Sequence, residues 1–306
     1  MAGTTVIAVN HVTKTYNSHR AVDDLTFEVR QGEIFAFLGP NGAGKTTTMR
    51  MILDILKPDS GTITVLGGPL TEATKSRIGY MPEERGLYKS VPLLELLGYL
   101  GVLKGMSAAD ARQQAIRLLE RLELGEYRNK KVSELSKGMQ QKVQFIATIL
   151  HRPELIIVDE PFSGLDPVNT QTLKDMLLEL RNGGATILMS THQMHQVEEM
   201  GDRLLMIDHG RCVLYGPVDE VRSRFAHNAV VVRGRGDWST IDGVERVTVN
   251  DSGREFTLQL AEGVTAAEIM HRLAISPDHH VSSFSLAVPS LTEIFIEVVG
   301  GRNNNA

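Results

Sequence analysis

The sequence predicts an α/β fold built on a parallel sheet, followed by a small α+β appendage. Three observations carry this. From about residue 34 to 208, apolar β-type runs alternate with segments of helical periodicity, the pattern of strands joined by covering helices. A glycine-rich loop, GPNGAGKTT at 39–47, lies between a strand-like and a helix-like segment. Near residue 225 the texture changes to short strands separated by turn signals.

Taken in order, the chain opens on two alternating runs, TVIAVNHVTKTY and AVDDLTFEVRQGE, which read as strands with one buried face. IFAFLG is apolar throughout and reads as a strand covered on both sides. After the loop, KTTTMRMILDIL reads as a helix stopped at Lys57-Pro58, and GTITVLG as a further strand. From about 85 to 135 the period is helical, and SAADARQQAIRLLERLEL opens on Ser107 as a plausible N-cap. SELSKGMQQKVQFIATIL continues the helical pattern, so a helical insert spans about 85–150. ELIIVDEP is a buried-type strand ending in two carboxylates. Helix PVNTQTLKDMLLELRN, strand ATILMST, helix HQMHQVEEM and strand RLLMID complete a first domain over 1–224. The appendage, 225–300, holds strands within 229–260, helix TAAEIMHRL, strand HHVSSFSLAV and helix SLTEIFIEVV. Residues 301–306 are expected to be a disordered tail.

Bulk properties exclude several classes. Hydrophobic content of 42% and charged content of 23% are ordinary globular values. A net charge of −5 gives no reason to expect nucleic acid as a partner. The single cysteine, Cys212, rules out an internal disulfide and suits a reducing compartment. The first residues lack the basic region and apolar core of a signal peptide. The most apolar stretch, VPLLELLGYLGVL at 91–103, is 13 residues long and contains Glu95, too short to span a bilayer. Work at a membrane would therefore go through a partner.

Three short segments carry chemistry. GPNGAGKTT fits G-x-x-x-x-G-K-[ST], with Gly39, Gly44, Lys45 and Thr46 at the defining places and Asn41, Gly42, Ala43 and Thr47 completing the loop. Its glycines let backbone N–H groups converge on phosphate oxygens, Lys45 brings a point charge, and Thr46 offers a hydroxyl to Mg²⁺. Asp159 and Glu160 close a buried strand at its C-terminal edge, where open α/β sheets bind ligands. Asp159 is expected to hold Mg²⁺, and Glu160 to take a proton from the water that attacks the γ-phosphate. The third segment, SELSKGMQQKVQF, is a second phosphate-shaped helix start at 133–145.

In this order, G-x-x-x-x-G-K-T, helical insert, L-S-x-G at 135–138 and DE at 159–160, the chain resembles the ATP-binding subunit of ABC transporters over about residues 5–220. The fold this implies is a P-loop NTPase of ABC type: a mixed sheet core with an antiparallel β subdomain and a helical subdomain. Tyr16 occupies the place of the aromatic that stacks on adenine. Ser136 and Gly138 match the signature that meets the phosphate of a neighbour's ATP. Asp166, in SGLD, matches the loop that communicates across the subunit interface, and His192 the switch histidine at the γ-phosphate. VPSLTEIFIEVVG at 288–300 looks like the end of the accessory domain of ABC-2 type exporters, including sodium- and drug-efflux systems.

Two departures are visible. The family's L-S-G-G-Q is here Leu135-Ser136-Lys137-Gly138-Met139, which adds a cation beside an anion site. Glu83 stands where the family carries a glutamine that senses Mg²⁺ and the attacking water. A carboxylate still ligates Mg²⁺, so Glu83 joins Thr46 and Asp159 as a metal candidate, with altered metal dependence expected.

One loop and one signature make half of a machine. The resemblance implies a head-to-tail dimer of two such chains, ATP and Mg²⁺ as cofactors, and an integral membrane permease as partner. It implies a cytoplasmic location on the inner face of the membrane. The competing reading is a soluble ABC ATPase or an ATP-sensing module. Lys45 and Ser136 lie 91 positions apart without sustained heptads, which leaves no room for the long coiled coil of DNA-repair relatives. Ribosome-acting relatives generally carry two cassettes, and this chain has one.

Overall fold

The computed structural model describes residues 3–84, 86–226, 228–249 and 253–303. They divide into two compact units, Met1–Val218 and Asp219–Ala306.

In the first unit, β1 (Thr5–Tyr16), β2 (His19–Arg30) and β4 (Ser60–Val65) form an antiparallel sheet ordered β2-β1-β4. The main sheet contains β3 (Ile34–Leu38), β5 (Ile78–Met81), β6 (Leu155–Asp159), β7 (Thr186–Thr191), β8 (Arg203–Asp208) and β9 (Arg211–Pro217). Its order is β5-β6-β7-β3-β8-β9, parallel except for β9, which runs antiparallel to β8. Helices α1 (Lys45–Ile52), α2 (Glu72–Lys75), α3 (Leu93–Leu103), α4 (Ala108–Arg121), α5 (Lys137–Ile149), α6 (Pro167–Asn182) and α7 (Met194–Met200) occupy the connections.

Side chains alternate across a strand, and that rule builds two cores from one sheet. Ile156, Val158, Ile187 and Met189 join the cluster formed with α3, α4, α5 and α6. Their neighbours Leu155, Ile157 and Leu188 face the other way, into the cluster shared with the antiparallel sheet and α1. Every residue of β3, β6 and β7 is buried, which explains their unbroken apolar character.

The second unit holds α8 (Val218–Arg224), assigned mostly to it, and an antiparallel sheet of β10 (Ala229–Arg235), β11 (Val244–Val249), β12 (Glu255–Leu260) and β13 (His280–Leu286). Its order is β11-β12-β10-β13, with helices α9 (Ala266–Ile275) and α10 (Leu291–Asn303). Trp238, Leu258, Ile269 and Leu273 are buried in its core.

Three local expectations are corrected. The helix after the glycine-rich loop ends at Ile52, because Asp54 turns left-handed (φ 58°) and Ile55 N–H donates to Arg50 O at 2.9 Å. Leu53 and Leu56 still pack on the core from that turn. The helix expected from His192 begins only at Met194, since the Thr191 hydroxyl accepts from Gln193 N–H (3.0 Å) and holds a turn there. Finally, α10 runs to Asn303, three residues into the expected disordered tail, as each added residue closes one more helical bond. Residues 304–306 of that tail lie outside the described residues.

Candidate functional site

The glycine-rich loop leaves β3 at its C-terminal edge and enters α1. Gly44 stands there because its backbone is left-handed (φ 109°) and passes so near Ala21 that a Cβ would lie 2.4 Å from the Ala21 carbonyl oxygen. α4, α5 and α6 each start with a side chain accepting from the first turn; α1 has no such cap. Its first N–H groups are therefore left for an anion.

A cavity of about 210 Å³ lies over this loop, lined by Ala21, Pro40, Asn41, Gly42, Gly44, Lys45, Thr46, Thr47, Glu83, Asp159 and Glu160. Lys45 is buried and its Nζ donates to the carbonyls of Gly39 (2.6 Å) and Pro40 (3.1 Å). Burial pushes its ammonium below the usual lysine range, against the opposing charges of Glu160, Asp159 and Glu83. Ala43 is buried behind the loop, with its carbonyl accepting from Gly210 N–H (3.0 Å).

Asp159 ends β6 with both oxygens engaged. One accepts from the Thr46 hydroxyl (2.9 Å) and the other from the Ser190 hydroxyl. Glu160 follows in a left-handed conformation (φ 48°), which turns its side chain away from that of Asp159. Its Oε1 lies 2.8 Å from His192 Nδ1, and the Thr191 hydroxyl donates to Oε2 at 3.5 Å. Glu83 lies exposed on the far wall, and Gln144 holds its loop by donating to the carbonyls of Pro82 (2.7 Å) and Glu84 (3.2 Å).

The sequence candidates thus separate into two groups. The loop, Asp159, Glu160 and Glu83 share one cavity, with His192 tied to it through Glu160. Tyr16, Ser136, Gly138 and Asp166 do not line it. Tyr16 is exposed at the end of β1, with Lys14 Nζ 5.8 Å from its ring centre. Ser136 caps α5 by accepting from Met139 N–H (3.3 Å), and a Cβ on Gly138 would meet Leu165 at an ordinary 3.8 Å. Asp166 caps α6 by accepting from Val168 and Asn169 N–H, both at 3.0 Å, and the Asn169 bonds hold its carboxyl below the usual range. Lys137 opens α5 without a left-handed backbone, so a glycine is not required there.

Ser190, Thr191 and Gln141 are contributors the sequence reading missed. Gln141 is buried and donates to Pro161 O (3.1 Å), bracing the turn after Glu160. The Ser-Thr pair at the end of ATILMST is the only trace of the first two in the sequence, and its meaning depends on the register that sets Asp159 beside Ser190.

A search of known families matches the ABC transporter model to residues 22–163. The model of the DrrA1-3-like ATP-binding protein C-terminal domain matches residues 216–299. The chain is 41% identical over 296 residues to the ABC transporter ATP-binding protein YhaQ of Bacillus subtilis, covering 96% of this chain and 99% of that one. It is 33% identical over 308 residues to the daunorubicin/doxorubicin resistance ATP-binding protein of Streptomyces peucetius, covering 97% and 93%. Among solved structures, an ATP binding subunit of an ABC transporter superimposes with a TM-score of 0.68 at 33% identity, covering 72% of this chain and 93% of that chain.

Proposed function

The chain belongs to the ATP-binding, ATP-hydrolysing subunits of ABC transporters of the drug-resistance and export type, and we propose that its two motifs serve ATP molecules held between paired copies. In this reading the loop from Gly39 to Thr47 cradles the β- and γ-phosphates, with Lys45 as the point charge. Three carboxylates, Glu83, Asp159 and Glu160, face one ammonium, Lys45, in the cavity. With three carboxylates beside the phosphates, a divalent cation is expected to accompany the nucleotide.

The donor set suits Mg²⁺. Thr46 and Asp159, whose oxygens lie 2.9 Å apart, would hold it, with Glu83 on the wall of the same cavity. When bound there, Mg²⁺ supplies charge neutralisation of the phosphates.

Glu160 is the residue that takes the proton. As the water oxygen bonds to the γ-phosphorus, the bond to the β–γ bridging oxygen breaks and the water proton passes to Glu160, leaving ADP and phosphate. His192 orients that carboxylate. The observation that carries this is the Glu160–His192 contact of 2.8 Å at the edge of the phosphate cavity. Ser136 and Gly138 serve the ATP of the opposite chain in a head-to-tail dimer, with Asp166 at the interface and Tyr16 beside adenine. ATP favours the closed pair by its cross-chain contacts, and hydrolysis reopens it.

No helix among the described residues is long and apolar enough to cross a membrane. The chain is read as a cytoplasmic protein that reaches the inner face of the membrane through a permease subunit, engaged by its helical segment. Glu160→Gln tests the mechanism: ATP binding is retained, turnover falls about 10²-fold or more, and an ATP-bound dimer accumulates. Undiminished phosphate release by that variant removes Glu160 from this role.

A further inference from the structure

β1 is irregular on its approach to Tyr16. Its pairing with β2 shifts register between Val12 and Lys14 and again between Lys14 and Thr15, and its pairing with β4 shifts between Asn10 and Thr13. Such shifts disrupt the ladder and free the strand to bend. Asp59, directly before β4, takes up the slack. One carboxylate oxygen accepts from Thr15 N–H and the other from Lys14 Nζ, each at 2.7 Å, while Asp59 N–H donates to Thr13 O at 2.9 Å. Residues 13, 14 and 15 are thus tied to a single residue of another segment. The Lys14 ammonium and the Thr15 N–H hold the Asp59 carboxyl below its usual range, so the clamp is ionised near pH 7.

The same ammonium lies over the Tyr16 ring, 5.8 Å from its centre and within cation–π range. Lys14 and Tyr16 are two residues apart on one strand, a spacing that sets both side chains on one face. The Lys14 side chain is only 17% exposed, held between carboxylate and ring. Tyr16 itself is exposed. An aromatic face is electron-rich, and a cation on one side draws that density toward itself. The opposite face then repels the electron-rich face of a purine less.

We propose, building on the reading that Tyr16 lies beside adenine, that Lys14 and Asp59 are positioning residues for the nucleobase. Asp59 fixes the strand end and the ammonium, and Lys14 fixes and polarises the ring on which the base stacks. A ring already held in place leaves less freedom to be lost when the base arrives, which favours binding without a further contact to the nucleotide. The Lys14–Asp59 pair lies near the surface, where an ion pair adds little to folding stability, so its loss should be read in binding and not in unfolding.

Titration calorimetry on the full chain with Mg²⁺ and two ligands tests this. ADP carries the base and has no γ-phosphate to lose; inorganic pyrophosphate carries the phosphates alone. Lys14→Met keeps the length of the side chain and removes its charge. It is expected to raise the ADP Kd about fivefold and to leave the pyrophosphate Kd unchanged. Asp59→Ala opens the same clamp and is expected to weaken ADP by a similar factor, with the double variant no weaker than Lys14→Met alone. Lys14→Arg keeps a cation for both partners and is expected to restore ADP binding. Tyr16→Ala, expected to weaken ADP about tenfold, reports the base contact itself.

Equal loss for ADP and pyrophosphate in Lys14→Met places its charge on the phosphates and overturns the proposal. Wild-type ADP affinity in Lys14→Met beside a weakened Tyr16→Ala also overturns it, and leaves the base contact standing. Wild-type ADP affinity in Tyr16→Ala removes the base contact, and the positioning role with it. Should Lys14→Met fail to fold, Asp59→Ala decides with the same two ligands.

Discussion

Glu160 holds a left-handed backbone that costs an ordinary side chain about 1–2 kcal/mol, and its amide donates to Ser190 O at 3.1 Å to keep it there. That strain separates two adjacent carboxylates into different tasks, Asp159 toward Thr46 and Glu160 toward His192. At His151 the local surroundings set protonation. Its folded-state pKa of about 4 lies below the unfolded value near 6.5. As pH falls through that window the unfolded chain takes the proton first, so stability present above 6.5 is lost progressively down to 4. The loss is about 3 kcal/mol at full extent. Urea midpoints at pH 7.5 and 4.5 are expected to fall further apart for the wild type than for His151→Leu. Equal pH sensitivity of the two chains contradicts this assignment. Residue types pointed to Asp159, Glu160 and Lys45 directly, whereas the orphaned His151 nitrogen could not be read from the chain, since it depends on what lies around it.

Within single elements, α3 illustrates how packing overrides propensity. A Cβ on Gly101 would lie 2.7 Å from the Ala111 Cβ of α4 and 3.1 Å from Leu150, so the two helices approach over a missing side chain. Gly98, in the same helix, faces open space. Alanine favours helix by about 1 kcal/mol over glycine at either place, but overpacking costs about 1–3 kcal/mol at the first. Gly98→Ala is therefore expected to stabilise the chain and Gly101→Ala to destabilise it, by about 1 kcal/mol each in denaturant titrations. Equal signs would show that the α3–α4 contact yields freely. Helix existence was legible here from periodicity. The ends were less so: the start of α7 moved from His192 to Met194 because a Thr191 side-chain bond competed with helix formation.

Across the whole molecule, the Ser136–Gly138 segment and the phosphate cavity are separate features of one chain. A shared site predicts complementation. Ser136→Arg and Lys45→Ala chains, each inactive alone, are expected to regain part of the wild-type ATPase rate when mixed, because one composite site is then intact. Absence of any gain in verified mixed dimers contradicts the pairing. Ser136→Arg keeps the phosphate loop and so retains nucleotide binding, which a fluorescent ATP analogue would report.

The sequence by itself determined the order of the chemistry-bearing segments and the alternation of strands and helices. It also determined which strands are covered on both faces, since the two-residue and helical periods are local properties of the chain. It was enough to place Lys45 and Thr46 at a helix start and Asp159 and Glu160 at a strand end. Only the tertiary structure decided that Asp159 stands beside Ser190, that His192 meets Glu160 across a parallel sheet, and that Ser136 and Asp166 spend their side chains as helix caps. It alone left Gln144 and His151 without donors. Those outcomes turn on strand register and on which buried groups find partners, and both are set by residues tens of positions apart, beyond the reach of any local pattern.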